Sequence, residues 1–230
     1  MSDLLKISLS AGHDFHTPGK RTPDGMPEWV FNSVVVKYMM TLLAEYQDVA
    51  VLRLDDPTGQ KDISLAERSD RSVSWGAHVH IDIHANAYGS GWNEANGIET
   101  FVYKHTELES SKLANVVQEN LIKYTGLKSR GVKEGNFHMI RETKAKAKIL
   151  VEAGFMTNKK EAALLKSDEY RNTVAKAIVD ALVAIYGLKK KQVGKQYRLK
   201  SGPFPTKEQA EKVAADIRKN HKITIHIVEE

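Results

Sequence analysis

Short apolar runs of strand length alternate with longer segments of helical spacing through most of this chain, and that alternation limits the folds open to it. Leu4, Ile7 and Leu9 predict a strand ending near Ser10. Phe31, Val34, Tyr38 and Leu42 share one face of a helix over 28–46. A second strand is expected over 49–54. Ser64, with Glu67 three residues on, forms a capping box for a helix reaching Trp75. Strands follow over 78–83 and 98–103. Leu113, Val116, Val117 and Leu121 mark a helix over 107–124. Residues 138–141 read as a short strand, and 149–151 as the centre of a buried one. Asn158 and Glu161 open a short helix. A longer helix over 167–186 repeats Val174, Ala177, Ile178, Ala181, Leu182 and Ile185 at i, i+3, i+4 spacing. Strands alternating with helices predict an α/β domain with a mixed, largely parallel sheet flanked by helices.

The 230 residues suffice for one sizeable domain and something small. Residues 1–187 form the expected main domain. A polar linker over 188–196 contains Lys189, Lys190, Lys191 and Lys195. Residues 197–230 read as a β-α-β unit: a strand over 197–201, a helix opened by Thr206 and Gln209, and a strand alternating Ile223, Ile225 and Ile227. Ala210, Val213, Ala214 and Ile217 form one face of that helix.

Charge separates these parts. Residues 1–186 hold 23 basic against 24 acidic side chains, 187–196 hold 4 against 0, and 197–230 hold 7 against 5. The net charge of +5 therefore sits in the linker and tail, which suits attachment to an anionic surface, with a merely solvated linker as the alternative. No aromatic-interleaved basic stripe points to nucleic acid. No apolar run approaches the ~20 residues that span a bilayer, so no membrane insertion is expected. The first residues lack the basic start and apolar core of a signal peptide. The expectation is a protein made in the cytoplasm that reaches any outside target through a pore built by another protein, or on lysis. With no cysteine, any metal must be held by His and carboxylates.

Functional residues in such sheets gather just beyond the carboxyl ends of the strands. His13 follows the first strand, His84 the strand ending at Ile83, and Glu152 the strand ending at Val151. Glu28 begins the first helix. Zinc hydrolases use three protein ligands and keep a position for water, with a nearby carboxylate to move its proton. His13, Glu28, His84 and Glu152 can supply that set if the fold gathers them. A rival set lies on one strand, where His78, His80, Asp82 and His84 alternate with Val79, Ile81 and Ile83. His80, Asp82 and His84 share a face there and form a second candidate. The plainer alternative for His78 and His80 is a half-exposed strand.

The motifs in order resemble those of the zinc-dependent N-acetylmuramoyl-L-alanine amidases of bacterial and phage cell-wall lysis. They are Ala11-Gly12-His13, Glu28 with Asn32, Ile83-His84-Ala85-Asn86, Gly97-Ile98-Glu99-Thr100, Arg130-Gly131-Val132, the Arg141 segment, and Leu150-Val151-Glu152-Ala153-Gly154-Phe155-Met156-Thr157-Asn158. The resemblance spans residues 4–186. It implies Zn2+ on His13, Glu28 and His84, Glu152 as catalytic acid/base, and cleavage of the amide between N-acetylmuramic acid and L-alanine in peptidoglycan. Asn86, Glu99 and Arg141 are weaker substrate-binding candidates. Arg141 has a planar fork suited to a peptide carboxylate, with a structural ion pair as its alternative. The chain departs from the family at Asp14-Phe15, Asp82 and Lys148. Asp82 reads equally as an orienter of a ligand and as a solvated strand residue.

The tail resembles half of a sporulation-related (SPOR) peptidoglycan-binding repeat, through Tyr197-Arg198-Leu199, Gly202-Pro203-Phe204 and the helix that follows. The resemblance implies wall attachment, and the complete family module has two such halves. A single 34-residue half is small for a domain, so two tails from two chains are expected to pair in a homodimer; the rivals are a tail docked on its own catalytic domain and one that orders only on the wall. The alternatives to amidase activity are a zinc peptidase acting on the stem peptide and a wall-binding protein without turnover.

Overall fold

The computed structural model describes residues 4–192, 203–221 and 225–227. It divides into two compact units, residues 1–191 and 192–230. Six strands build the first unit: β1 (Leu5–Ala11), β2 (Val49–Arg53), β3 (Val79–Asn86), β4 (Ile98–Val102), β5 (Ser129–Glu134) and β6 (Ala147–Phe155). They form one sheet in the order β2-β1-β3-β6-β4-β5. The first four run parallel, β4 is antiparallel to β6, and β5 is parallel to β4.

The helices of this unit are α1 (Glu28–Leu43), α2 (Leu65–Trp75), α3 (Leu108–Thr125), α4 (His138–Glu142), α5 (Lys159–Lys166) and α6 (Asp168–Tyr186). Side-chain oxygens cap the starts of three of them at the expected places. Ser64, Asn158 and Ser167 each accept from backbone N–H groups of the first turn. The long helix α6 ends on Gly187 in the left-handed conformation.

One face of the sheet is apolar. Ile7, Leu9, Val79, Ile81, Ile83, Ile149 and Val151 pack there with Phe31, Val35 and Met39 of α1 and Val174, Ile178 and Leu182 of α6. The opposite face is polar and still buried. Ser8, Ser10, His80, Asp82 and Lys148 line it, with Arg68, Ser69 and Ser72 of α2 nearby. Hydrogen bonds make this tolerable. Ser8 Oγ lies 2.8 Å from Ser72 Oγ and 3.0 Å from His80 Nδ1. Strands that read as half-exposed are therefore covered on both sides.

Residues 138–141 form the helix α4, not a strand. Five residues are too few for a helical period to show, and Met139 and Ile140 are both buried in it. The strand β5 carries no alternation, with Val132 its sole large apolar side chain. Strands β3 and β6 run past their expected ends at Ile83 and Val151, so His84 and Glu152 lie inside strands. The first unit also extends past Gly187: Lys191 N–H donates to Glu45 O at 2.7 Å, and Gln47 N–H to Lys189 O at 2.8 Å.

In the second unit, α7 (Lys207–His221) starts where Thr206 Oγ1 accepts from Gln209 N–H at 3.3 Å. Ala210 and Ala214 are buried, while Val213 on the same expected face is exposed. Residues 225–227 carry no strand. The strand expected over 197–201, and Ile223, lie outside the described residues. No described helix is long and apolar enough to cross a membrane.

Candidate metal centre

The chain turns sharply after β1. His13 adopts φ +65, a left-handed conformation that costs a non-glycine residue of order 1 kcal/mol. Buried Arg68 holds the turn in place. Its guanidinium donates to Ala11 O at 2.6 Å, His13 O at 3.0 Å and Ser10 Oγ at 3.0 Å. Glu28 is the first residue of α1, where the helix dipole favours a carboxylate. It is 2% exposed. Its Oε1 accepts from Asn32 Nδ2 and from Ala85 N–H, each at 3.1 Å. Asn32 also donates to Gly12 O at 3.1 Å, tying α1 to the turn after β1.

These contacts bring His13, Glu28 and His84 together. Glu28 Oε2 lies 3.3 Å from His13 Nε2, and Glu28 Oε1 lies 3.0 Å from His84 Nδ1. One donor atom from each residue falls within 4.8 Å of the other two, the only such three-residue cluster among the described residues. Ligands at about 2.0–2.2 Å around a tetrahedral Zn2+ stand about 3.4 Å apart, so the donor types and spacings fit that ion. Gly12 is part of the fit. A Cβ there would lie 2.1 Å from His84 Cε1, so the imidazole occupies the space that any side chain at position 12 would take.

Electrostatics prepare His13 and Glu28 for ligation, while His84 would give up a proton to a metal ion. Burial, partly opposed by the Glu28 charge, lowers the His13 pKa to about 4, leaving a neutral imidazole with a free lone pair. Burial opposes the charge of Glu28, but the hydrogen bond and charge of His84, with His13 and Asn32, outweigh it and hold the carboxyl below its usual value. Burial likewise opposes the His84 charge. The Asp82 and Glu28 carboxylates outweigh it and raise that imidazole well above its usual value.

Glu152 stands beside this cluster, paired in register with His84 across β3 and β6 and with Glu99 across β4 and β6. Its Oε2 is buried with no hydrogen-bond partner among the described residues. Burial, helped by the charges of Glu28 and Glu99 and opposed by His84, pushes its pKa up to about 8. That is the poise of a group that exchanges protons near neutral pH. Glu99 forms the neighbouring wall. It accepts from Asn86 Nδ2 at 2.6 Å, Arg130 Nε at 2.7 Å and Lys133 Nζ. Arg141 pairs instead with Glu142 at 2.6 Å and Asn136 Oδ1 at 2.6 Å.

The rival set on β3 does not assemble. His78 is exposed, and its Nδ1 accepts from Lys6 N–H at 3.2 Å. His80 is fully buried against Ser8. Asp82 is buried too, its Oδ2 3.3 Å from His84 Nε2, so it is not a solvated strand residue. The ring-sized gap at Gly12 and the Arg68 clamp escaped sequence reasoning. The Ala-Gly-His spacing was the available signal for the first, and nothing local marked the second.

An α/β sheet with a His/Glu/His donor set at its carboxyl edge, beside a carboxyl poised near neutrality, defines a hydrolase of the metal-site class. The chain belongs to the N-acetylmuramoyl-L-alanine amidase family (Amidase_3), whose model matches residues 7–184. The SPOR domain model matches residues 167–224. The N-acetylmuramoyl-L-alanine amidase CwlM of Bacillus licheniformis is 29% identical, over 92% of this chain and 80% of that protein. An endolysin of Bacillus phage SPP1 is 31% identical, over 82% of this chain and 68% of its own length. Among solved structures, an N-acetylmuramoyl-L-alanine amidase from Clostridium difficile 630 superposes with a TM-score of 0.74 at 29% identity, covering 81% of this chain and 98% of that one.

Proposed function

We propose that this chain hydrolyses the amide between the lactyl group of N-acetylmuramic acid and L-alanine in peptidoglycan, with Zn2+ held by His13, Glu28 and His84. The observation that carries this is the convergence of those three donors beside Glu152 in an amidase-family fold. Zn2+ held there would polarise the scissile carbonyl, acidify water and draw the Glu152 pKa downward.

The chain's own residues do the rest. Asn32 and the Ala85 N–H fix the Glu28 carboxylate. Glu152 takes a proton from the attacking water at its unpartnered Oε2 and delivers it to the leaving L-alanine nitrogen. Burial of that oxygen keeps bulk water from satisfying it, so the proton stays available to the reacting atoms. Asn86 and Glu99, hydrogen-bonded to each other beside Glu152, are the side chains offered to the stem peptide.

The second unit attaches the enzyme to the wall. The SPOR match begins at residue 167, but Val174, Ile178 and Leu182 of α6 are buried in the core of the first unit. That leaves residues 192–230 to form the module, with one helix among those described. A unit under ~40 residues without cysteines seldom folds alone, so two tails from two chains complete one module. Light scattering of the full chain at micromolar concentration should give a dimer; a monomer contradicts the pairing.

Turbidity loss of purified cell walls tests the activity. Wild type should clear them, while a chelator or Glu152→Ala should stop clearing without stopping binding. A wild-type protein that binds walls yet releases no new amino termini leaves only the non-catalytic binding alternative.

A further inference from the structure

One buried carboxylate beside the metal cluster has no part in the chemistry above. Asp82 is 3% exposed, on the polar face of the sheet. Its Oδ2 lies 3.3 Å from His84 Nε2, while His84 Nδ1 points at Glu28 Oε1, 3.0 Å away. The other carboxylate oxygen, Oδ1, is buried with no partner among the described residues. A carboxylate buried this completely is costly unless a donor or a positive charge compensates. The one donor in hydrogen-bond reach among the described residues is the His84 ring. The buried Arg68 guanidinium supplies a compensating field from the next strand, where it grips Ser10, the register partner of Asp82.

A neutral imidazole carries one proton and one lone pair, and the partner of one nitrogen decides what the other can do. We propose that Asp82 is a positioning residue for the metal centre: by accepting the His84 Nε2 proton it fixes the tautomer and ring orientation that turn the Nδ1 lone pair toward Glu28 and His13. Two other features narrow the ring's freedom. The missing side chain at Gly12 leaves the space the ring occupies, and Glu28 faces Nδ1. Neither of them selects the tautomer, because Glu28 can accept a proton from Nδ1 as readily as it can share a cation with it. Asp82 removes that ambiguity. The inference rests on the metal reading above.

The test uses the full chain and Zn2+ alone. Competition with a chromogenic chelator should show Asp82→Ala binding Zn2+ 10–100-fold more weakly than wild type, the usual cost of removing such a partner. Asp82→Asn keeps an oxygen that can accept from Nε2, and should recover part of that loss. Imidazole nitrogen NMR of Zn2+-loaded wild type should place the His84 proton on Nε2. Asp82→Ala binding within twofold of wild type, or a wild-type proton on Nδ1, overturns the proposal while leaving the metal site standing. Wild type that takes up no Zn2+ overturns both. Should Asp82→Ala fail to fold, the tautomer of the wild-type protein decides the matter alone.

Discussion

Replacing Gly12 by Ala adds a single carbon at the centre of the site. That carbon would lie 2.1 Å from His84 Cε1, 2.4 Å from Nδ1 and 2.5 Å from Nε2. Carbon atoms pack comfortably at about 3.5–4.0 Å, so the ring must retreat by more than about 1 Å. Its hydrogen-bond contacts at 3.0 Å with Glu28 and 3.3 Å with Asp82 cannot both survive that movement. Gly12 has no positive φ, so Ala is compatible with the backbone and should tighten the unfolded chain slightly. The His84 side chain is 15% exposed and has solvent to swing into. The expected result is a folded protein, its Tm close to wild type, with Zn2+ affinity and wall-clearing rate each down roughly 100-fold, the usual scale for a 1 Å misplacement at a reacting centre. Chelator competition and turbidity assays on one preparation measure both. A Gly12→Ala protein with wild-type affinity and rate refutes the reasoning, because the ring would then not occupy the space assigned to it.

Three further outcomes follow from particular residues. Glu152 has a folded-state pKa of about 8 against an ordinary value of 4.5, so the metal-free fold binds more protons than the unfolded chain between those values. Its contribution to stability is full below about pH 4.5 and is lost as pH rises through 8; metal-free Glu152→Gln should match wild type near pH 4 and exceed it by about 3 kcal/mol at pH 9 in urea unfolding, allowing for the residue's partial exposure. Glu161 accepts from the backbone N–H groups of Gly97 and Phe155, each at 2.7 Å, and so ties the start of β4 to the end of β6; Glu161→Ala strands both donors and should cost about 2–4 kcal/mol, with Glu161→Gln milder. Phe31 is fully buried between α1 and the sheet and packs 6.3 Å from the Tyr170 ring; Phe31→Ala should cost about 3–5 kcal/mol in the same assay without changing Zn2+ affinity.

The sheet and its helices were largely legible because capping oxygens and apolar spacing are local signals. Ser64, Asn158 and Ser167 start their helices where the sequence suggests. The exceptions have local causes as well. Edge strand β5 has little apolar surface to bury, and α4 is a single turn and a half. The polar face was misread for a different reason. Alternation along β3 shows that His80 and Asp82 share a side, but not that α2 will cover that side. At the site, strand-end placement brought forward His13, His84 and Glu152, while the choice of His84 over its strand neighbours and the separate roles of Glu28 and Glu152 came from family motifs. Burial does most to raise the Glu152 pKa, and the charges of Glu28 and Glu99 that add to it come from residues distant in sequence. Glu99 reaches it only because β4 runs antiparallel to β6, a pairing 53 residues apart in sequence that no local pattern encodes.

The central claim is that this site cuts one bond, between N-acetylmuramic acid and L-alanine. Mass spectrometry of purified walls digested by the full-length protein tests it most directly. The account predicts glycan strands free of peptide and stem peptides beginning at a free L-alanine, absent after chelation and absent with Glu152→Ala. Fragments in which L-alanine stays on the glycan while a bond further along the stem peptide is broken would contradict it and make the protein a peptidase.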